Sequence, residues 1–150
     1  MTPIETALAT WHEFLRGDRD ALDRVLADDV VLHSPVMFTP QAGKDVVTLY
    51  LTGASMTFVG EKAPGAAEPR RHPNGGEWDG RFRYVREVLG EHDAVLEFET
   101  TMQGRYVNGV DMIRCDDDGR IVDFKVMVRP QQAVDAVREQ MMTALEQLGG

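Results

Sequence analysis

The sequence predicts an α+β fold in which a cone-shaped, curved antiparallel sheet is wrapped by N-terminal helices and followed by a C-terminal helix. Apolar residues recur with the period of a helix before residue 60 and with the period of a strand after residue 80. The links between the later strands are too short for crossovers, so neighbouring strands must run antiparallel. With 150 residues, 43% of them hydrophobic, the chain is expected to form one domain over 1–150.

Apolar stripes at helical spacing predict the helices. The first is expected over 3–16 and is ended by Gly17. A second is expected over 18–27 and a third over 43–58. The chain closes with a helix over 131–147, which carries its apolar residues along one side.

Alternating apolar and polar residues predict the strands. A short strand at about 30–34 is ended by Pro35. The stretch 59–80 is rich in Gly, Pro and charge, and it is predicted to form a long loop or lid. The turns GEHD, QG and DDDG then separate four further strands, at 81–89, 93–102, 105–115 and 120–129.

Charge and composition exclude several classes of function. The net charge of −9 argues against nucleic acid and against anionic membrane surfaces, because both are bound through basic faces. No apolar run approaches the roughly 18 residues of a membrane span, and no secretory signal is recognisable, so a cytoplasmic protein is expected. A single cysteine, Cys115, excludes an internal disulfide. Ligand spacings and cofactor motifs are missing too, so neither a metal nor a cofactor is predicted.

Asp111 is the residue that raises the question of chemistry. It lies in the stretch VNGVDMIRC, and strand alternation places it on the same side as Ile113 and Cys115. Asn108 indicates that the opposite side is the more polar one. The carboxyl of Asp111 is therefore predicted to point inward, among apolar side chains.

An inward carboxyl has two interpretations. It can be structural, paired with an arginine or hydrogen-bonded to a helix terminus, as buried polar groups usually are. It can also be functional, because an apolar wall raises the pKa of a carboxyl and yields a base or a protonated hydrogen-bond donor near neutral pH. The residues alone leave both open.

His33 and Ser34 end the short strand, at what would be the mouth of the cone. Adjacent strand residues point to opposite faces, so both cannot point inward unless Pro35 bends the chain. The two residues therefore do not form a nucleophile and base pair through local geometry.

Three stretches of the sequence resemble a known family. They are LRGDRDALDRVLADDVVLHSPV, GKDVVTLYL and VDMIRCDDDGRIVDFKVMVRP. Together they resemble the nuclear transport factor 2-like superfamily, and within it the branch of SnoaL-like polyketide cyclases and ketosteroid isomerases. The resemblance covers nearly the whole chain and implies a cystatin-like α+β roll. It indicates activity less specifically, because this fold carries many functions.

The resemblance implies a role for Asp111. This residue falls on the isomerase Asp that donates a hydrogen bond to the substrate oxyanion, and on the part of the sheet that supplies the cyclase acid/base. Ser34 stands where isomerases have their proton-shuttling Asp, and the isomerase tyrosine of the first helix falls near Thr10 and Trp11. Steroid isomerisation by the usual pair of residues is therefore not expected.

Two functions remain open at this point. In the first, Asp111 exchanges a proton with an enolisable hydrophobic substrate, in a cyclase-like, isomerase-like or hydratase-like reaction. His33 assists the reaction, and either His33 or Ser34 orients the substrate. The predicted pocket walls are Trp11, Tyr50, Phe124 and Val128. In the second, the protein is a non-catalytic module that binds a small hydrophobic molecule or interacts with another protein.

The resemblance also implies a homodimer formed through the outer face of the sheet. Strand alternation assigns mixed charge together with Val and Met to this face, which suits a moderately polar interface. The predicted interface residues are Arg83, Val85, Glu97, Glu99, Val110, Met112, Lys125 and Met127.

Overall fold

The computed structural model of the chain describes residues 1–61 and 77–149. The helices in this part of the chain are α1 (Pro3–Leu15), α2 (Ala21–Val25), α3 (Lys44–Thr57) and α4 (Gln131–Gly149). The strands are β1 (Leu26–His33), β2 (Gln41–Ala42), β3 (Arg83–Leu89), β4 (Asp93–Met102), β5 (Arg105–Cys115) and β6 (Ile121–Arg129). None of these helices is long and apolar enough to cross a membrane.

The strands form one six-stranded sheet in the order β2-β1-β6-β5-β4-β3. Strands β3 to β6 form the predicted antiparallel meander, while β1 pairs with β6 in parallel. The sheet curves without closing, and the helices lie against its inner face. The predicted α+β class and the cone-shaped sheet are confirmed.

The largest departure from the predicted elements is at the start of β1. The second helix was predicted over 18–27, but α2 ends at Val25, and β1 begins at Leu26 rather than at about residue 30. Leu26 pairs with Ile121 on β6. A contact with a strand almost a hundred residues further on therefore overrides the local helical pattern.

The predicted loop or lid at 59–80 falls mainly on residues 62–76, which lie outside the described residues. The other predicted elements agree with the structure to within a few residues at their ends. The helix α1 begins with a reciprocal capping box formed by Thr2 and Glu5.

The inner face of the sheet carries the hydrophobic core in two clusters. The first joins α1, α2 and β1 to the sheet, and in it the rings of Trp11 and Phe124 meet edge to face at 5.0 Å. The second lies between α4 and strands β4 and β5, around Phe98 and Val137. The two clusters do not fill the space under the C-terminal parts of α1 and α3. A cavity opens there.

Strand β3 contains a bulge that places its two halves differently. Tyr84 pairs with Phe98 and Arg86 pairs with Glu97, so Val85 is an extra residue on the β3 side. Because of the bulge, Tyr84 faces the core while Arg86 is turned to the outer face.

The outer face of the sheet holds a buried carboxylate of its own. Glu99 is 1% exposed, and its Oε1 accepts a 2.7 Å hydrogen bond from Nε of Arg83 while its Oε2 accepts a 3.0 Å bond from the hydroxyl of Tyr106. The indole of Trp78 lies against Tyr106 and under the guanidinium of Arg83. Part of the predicted dimer face, at Arg83 and Glu99, is therefore already covered.

Candidate active site

An apolar cavity of ≈ 300 Å³ lies between the inner face of the sheet and helices α1 and α3. This volume is at the small end of the range for ligand pockets. Most of the lining is apolar or aromatic: Trp11, Phe14, Leu15, Leu51, Ala54, Phe58, Val59, Phe82, Phe98, Phe124 and Val126. The polar side chains of the lining are few: Ser55, Arg81, Tyr84 and Asp111.

Asp111 supplies the carboxyl group of this cavity. It lies in the middle of β5, opposite Leu96 on β4 and Val126 on β6, and the residue is only 6% exposed. The prediction that Asp111 points inward is confirmed. The predicted alternative of an arginine partner is not realised within the described residues, where the side chain bonds only to Tyr84.

A chain of hydrogen bonds leads from α1 to this carboxyl. The indole Nε1–H of Trp11 donates to the hydroxyl oxygen of Tyr84 at 2.9 Å, and the Tyr84 hydroxyl donates to Oδ2 of Asp111 at 2.6 Å. Oδ2 is therefore engaged, while Oδ1 is the carboxyl oxygen left to meet a ligand. Within the described residues, no fully buried side-chain N or O lacks a partner, so Oδ1, for which no partner is present, is not fully buried.

The surroundings of Asp111 shift its pKa into the physiological range. Burial raises the pKa from 3.8 to about 7, although the hydrogen bond from Tyr84 lowers it. The pKa of Tyr84 is raised well above 10, first by burial and then by the charge of Asp111. Tyr84 therefore keeps its proton and acts as a donor, whereas Asp111 exchanges its proton near neutral pH.

Gly109 makes room for the aromatic wall beside Asp111. It faces inward two residues before Asp111, and a Cβ at this position would collide with the Phe98 ring and the Met127 carbonyl oxygen. The Phe98 ring thus lies directly over the backbone of β5, and Phe82 stacks on it at 5.3 Å.

The structure brings together three of the seven site residues that the sequence predicts. Asp111, Trp11 and Phe124 line the cavity. Ser34 and Tyr50 line a different groove, beside α4, where the Ser34 Oγ accepts a hydrogen bond from the Val36 amide and the Tyr50 hydroxyl contacts the Met37 sulfur.

The remaining two predicted residues lie away from the cavity wall. Val128 packs against the second hydrophobic cluster. His33 pairs with Lys125 in the sheet and bonds to Asp123 at 3.0 Å, on the outer face. The structure therefore does not bring His33 to Asp111, because Leu32 takes the inward position at this end of β1.

Sequence reasoning missed Tyr84, the hydrogen-bond partner of Asp111. A signal was present, because Arg83 and Val85 were both assigned to the outer face, and alternation then turns Tyr84 inward. The first helix carries no tyrosine, as its sequence shows, but Tyr84 brings a hydroxyl to Asp111 from β3. Arg81, which also lines the cavity, carried no such signal in the sequence.

The described residues offer no metal site. Neither 1–61 nor 77–149 contains three or more His, Cys, Asp or Glu side chains grouped so that they could hold an ion. The polar groups that these residues offer the cavity are one titrating carboxyl, one tyrosine hydroxyl, one serine hydroxyl and one guanidinium, in a wall that is otherwise apolar.

Comparisons with known proteins identify structural relatives. No family model and no curated protein matches the chain. Among solved structures, a steroid delta-isomerase from Pseudomonas aeruginosa is 34% identical, with 99% of this chain and 95% of that chain covered and a TM-score of 0.80.

Two further structures share the fold. An uncharacterised protein with a cystatin-like fold from Silicibacter pomeroyi is 28% identical, with 91% of this chain and 83% of that chain covered and a TM-score of 0.71. A nuclear transport factor 2-like protein from Mesorhizobium loti is 19% identical, with coverages of 87% and 96% and a TM-score of 0.62.

Proposed function

The chain belongs to the nuclear transport factor 2-like superfamily, and on this basis we propose that it catalyses proton transfer on a small apolar ligand with an enolisable carbonyl group. The observation that carries the proposal is the Asp111 carboxyl, which is buried in an apolar cavity with a pKa of about 7 and one oxygen free for a ligand. The similarity to a steroid delta-isomerase supports the same class of reaction.

The proposed reaction uses Asp111 as a shuttle. Its carboxylate removes a proton from the carbon between a carbonyl and a double bond, and the resulting dienol or dienolate takes the proton back at the far carbon. The double bond moves, and no oxidant or reductant is needed. A pKa near the working pH suits both halves of the shuttle, because neither protonation state is strongly favoured.

Tyr84 is proposed to stabilise the negative oxygen that forms during the reaction. Its hydroxyl donates to the Asp111 carboxylate in the resting site. Once Asp111 is protonated it no longer needs that donor, so the hydroxyl can turn to the ligand oxygen. Trp11 donates to the Tyr84 oxygen throughout, which polarises the O–H bond and holds the oxygen in place while the proton turns to the ligand.

The test is isomerisation of a β,γ-unsaturated ketone, followed by the absorbance of the conjugated product. An Asp111→Asn variant keeps the size and one hydrogen-bond donor but cannot shuttle a proton, so we expect turnover to fall by about 10²-fold or more. The matched control is Asp123→Asn on the outer face of the sheet, which should leave turnover unchanged. Equal turnover in wild type and Asp111→Asn would reject the catalytic role.

The catalytic role predicted for His33 is tested in the same assay. Because His33 bonds to Asp123 on the outer face, we expect His33→Ala to keep wild-type turnover. A loss similar to that of Asp111→Asn would show that His33 takes part after all.

Binding without catalysis is the second candidate function. It is favoured by the absence, among the described lining residues, of a second carboxyl or a histidine beside Asp111. In this case the wild-type protein binds an unsaturated ketone or a phenol without converting the ketone, and Asp111→Asn changes affinity only.

We also propose that a second copy of the chain covers the free part of the outer sheet face. The exposed apolar side chains there are Val88, Met112 and Met127, which are 38–51% exposed. Arg86, Glu97 and Lys125 flank them, so this part of the face carries both signs of charge, as a two-fold contact requires. Sedimentation should show a dimer that Met127→Glu dissociates and Met142→Glu, on α4, does not. A wild-type monomer at micromolar concentration would reject this interface.

A further inference from the structure

Arg81 supplies the cationic side chain of the cavity lining in the described part of the chain. Arg81 is an exposed residue of this lining and Asp111 is a buried one, so Arg81 belongs to the solvent side of the cavity and Asp111 to its inner side. The chain as a whole has a net charge of −9, so it offers an anionic ligand no generally basic surface.

The backbone of Arg81 is held by its neighbours, whereas no partner of its guanidinium is found among the described residues. The Trp78 indole donates a 2.6 Å hydrogen bond to the Arg81 carbonyl oxygen, and the Arg81 amide donates to Oδ1 of Asp79 at 3.0 Å. Arg81 also forms a β-bridge with Gly60. Among residues 1–61 and 77–149, however, no carboxylate pairs with its guanidinium, in contrast to the neighbouring Arg83, which pairs with Glu99.

Arg81 and Asp111 line the same cavity, but they form no ion pair with each other. The pKa of Asp111 is set by burial and by Tyr84, and no cation contributes to it. A group bound by Arg81 would therefore sit away from the proton-transfer site. An anion placed there avoids the strong repulsion that it would meet next to an ionised Asp111.

We propose that Arg81 selects ligands that carry a carboxylate at the end opposite to their reactive carbonyl or enol. The ligand class is thus an apolar oxo acid, oriented with its oxygen at Asp111 and Tyr84 and its carboxylate at the mouth. The inference rests on the proposed function for the inner end of the cavity, and it adds the outer contact that sets the direction of binding. A guanidinium suits this task because it binds a carboxylate through two parallel hydrogen bonds.

The test compares two planar enol mimics that differ in one group. β-Naphthol offers a hydroxyl to Asp111 and Tyr84, and the hydroxynaphthoate with its carboxylate at the far end of the two rings adds the anion. The ratio of their dissociation constants is measured at neutral pH and low salt in wild type, Arg81→Gln and Arg19→Gln. Arg19 is an exposed arginine outside the cavity lining, so it controls for the loss of one positive charge.

We expect wild type and Arg19→Gln to bind the hydroxynaphthoate about three- to fivefold more tightly than β-naphthol, as for a partly solvated ion pair. Arg81→Gln should lose this preference while its affinity for β-naphthol stays the same. Added salt should weaken the preference in wild type and have no effect on it in Arg81→Gln.

Two results would overturn the inference in different ways. If wild type binds β-naphthol but shows no preference for the carboxylate, or if Arg81→Gln keeps the preference, the role of Arg81 is rejected and the proposed function stands. If wild type binds neither compound, the enol-binding site at Asp111 is itself rejected, and the selection by Arg81 falls with it.

Discussion

The hydroxyl of Tyr84 lies 2.6 Å from Oδ2 of Asp111, although a whole strand, β4, separates the two residues in the sheet. The tyrosine side chain therefore reaches across the inner face of β4, over the row that contains Phe98 and Gly109. The protonation of Asp111 is in this way coupled to the position of the edge strand β3. The predictions below follow from this bond and from the packing that makes room for it.

The first prediction concerns stability and pH. The pKa of Asp111 is raised from 3.8 to about 7 in the folded state, so at intermediate pH the folded protein holds a proton that the unfolded chain has lost. Stability that this proton contributes is present at low pH and is lost as the pH rises through about 7. Relative to Asp111→Asn, the wild type should lose about 1–3 kcal/mol of unfolding free energy between about pH 5 and about pH 8.

Urea unfolding of the wild type and of Asp111→Asn at the two pH values measures this difference. The contributions of the other carboxyl groups are the same in both proteins and cancel in the difference. A difference that is constant with pH, or that grows as the pH rises, would contradict a raised pKa at Asp111.

The second prediction isolates the effect of Tyr84 on that pKa. Tyr84→Phe removes the hydrogen bond that stabilises the charged carboxylate, so the pKa of Asp111 should rise further, by about one to two units for a bond to a charged group. The increase in the pKa of Asp111 is measured from the pH–rate profile or from the NMR resonance of the Asp111 carboxyl carbon. Tyr106→Phe is the control, because Tyr106 donates to Glu99 on the opposite face. An unshifted Asp111 in Tyr84→Phe would argue against the coupling.

The third prediction uses the two tryptophans as reporters. Trp11 is part of the cavity wall, whereas Trp78 packs against Tyr106 on the other side of the sheet. A cavity ligand such as β-naphthol should therefore change the fluorescence of a Trp78→Phe variant, in which Trp11 is the remaining indole. The same titration of Trp11→Phe should give little change. A response carried by Trp78 alone would place the ligand outside the cavity.

The fourth prediction contrasts two glycines. Gly109→Ala should cost more than about 2 kcal/mol, because its Cβ would meet the backbone of β6 and the Phe98 ring. Gly53→Ala, within α3, should instead raise the free energy of unfolding, by at most about 1 kcal/mol. Alanine favours a helix, and its Cβ would make ordinary contacts with Met141 and Leu145 of α4. Thermal and urea unfolding measure both, and effects of the same sign would contradict the packing described for one of them.

The inward orientation of Asp111 could be predicted from the sequence for a physical reason. Strand β5 keeps a regular pairing with both neighbours from Asn108 to Arg114, so the two-residue period applies without interruption. The buried set Val107, Gly109, Asp111 and Ile113 follows directly from this period. The tight antiparallel turns fix the order of β3 to β6 in the same local way.

The rest of the site depends on contacts that no local pattern carries. The side taken by His33 is set by the parallel pairing of β1 with β6, ninety positions away in the chain, and the early end of α2 has the same cause. Tyr50 is turned to the groove beside α4, which the helical stripe alone did not distinguish from the cavity. To predict the hydrogen bond between Tyr84 and Asp111, one would need to know how far the tyrosine side chain reaches across β4.

The extra residue Val85 affects how relatives of this chain are to be aligned. Upstream of the bulge the odd-numbered Arg83 faces outward, and downstream the even-numbered Arg86 does. A comparison that matches β3 to an unbulged strand without a gap at this point will pair side chains from opposite faces. It will then place an outward residue in the position of Tyr84, or lose that position altogether. A one-residue gap at the bulge therefore decides whether the residue that corresponds to Tyr84 is identified in a related sequence.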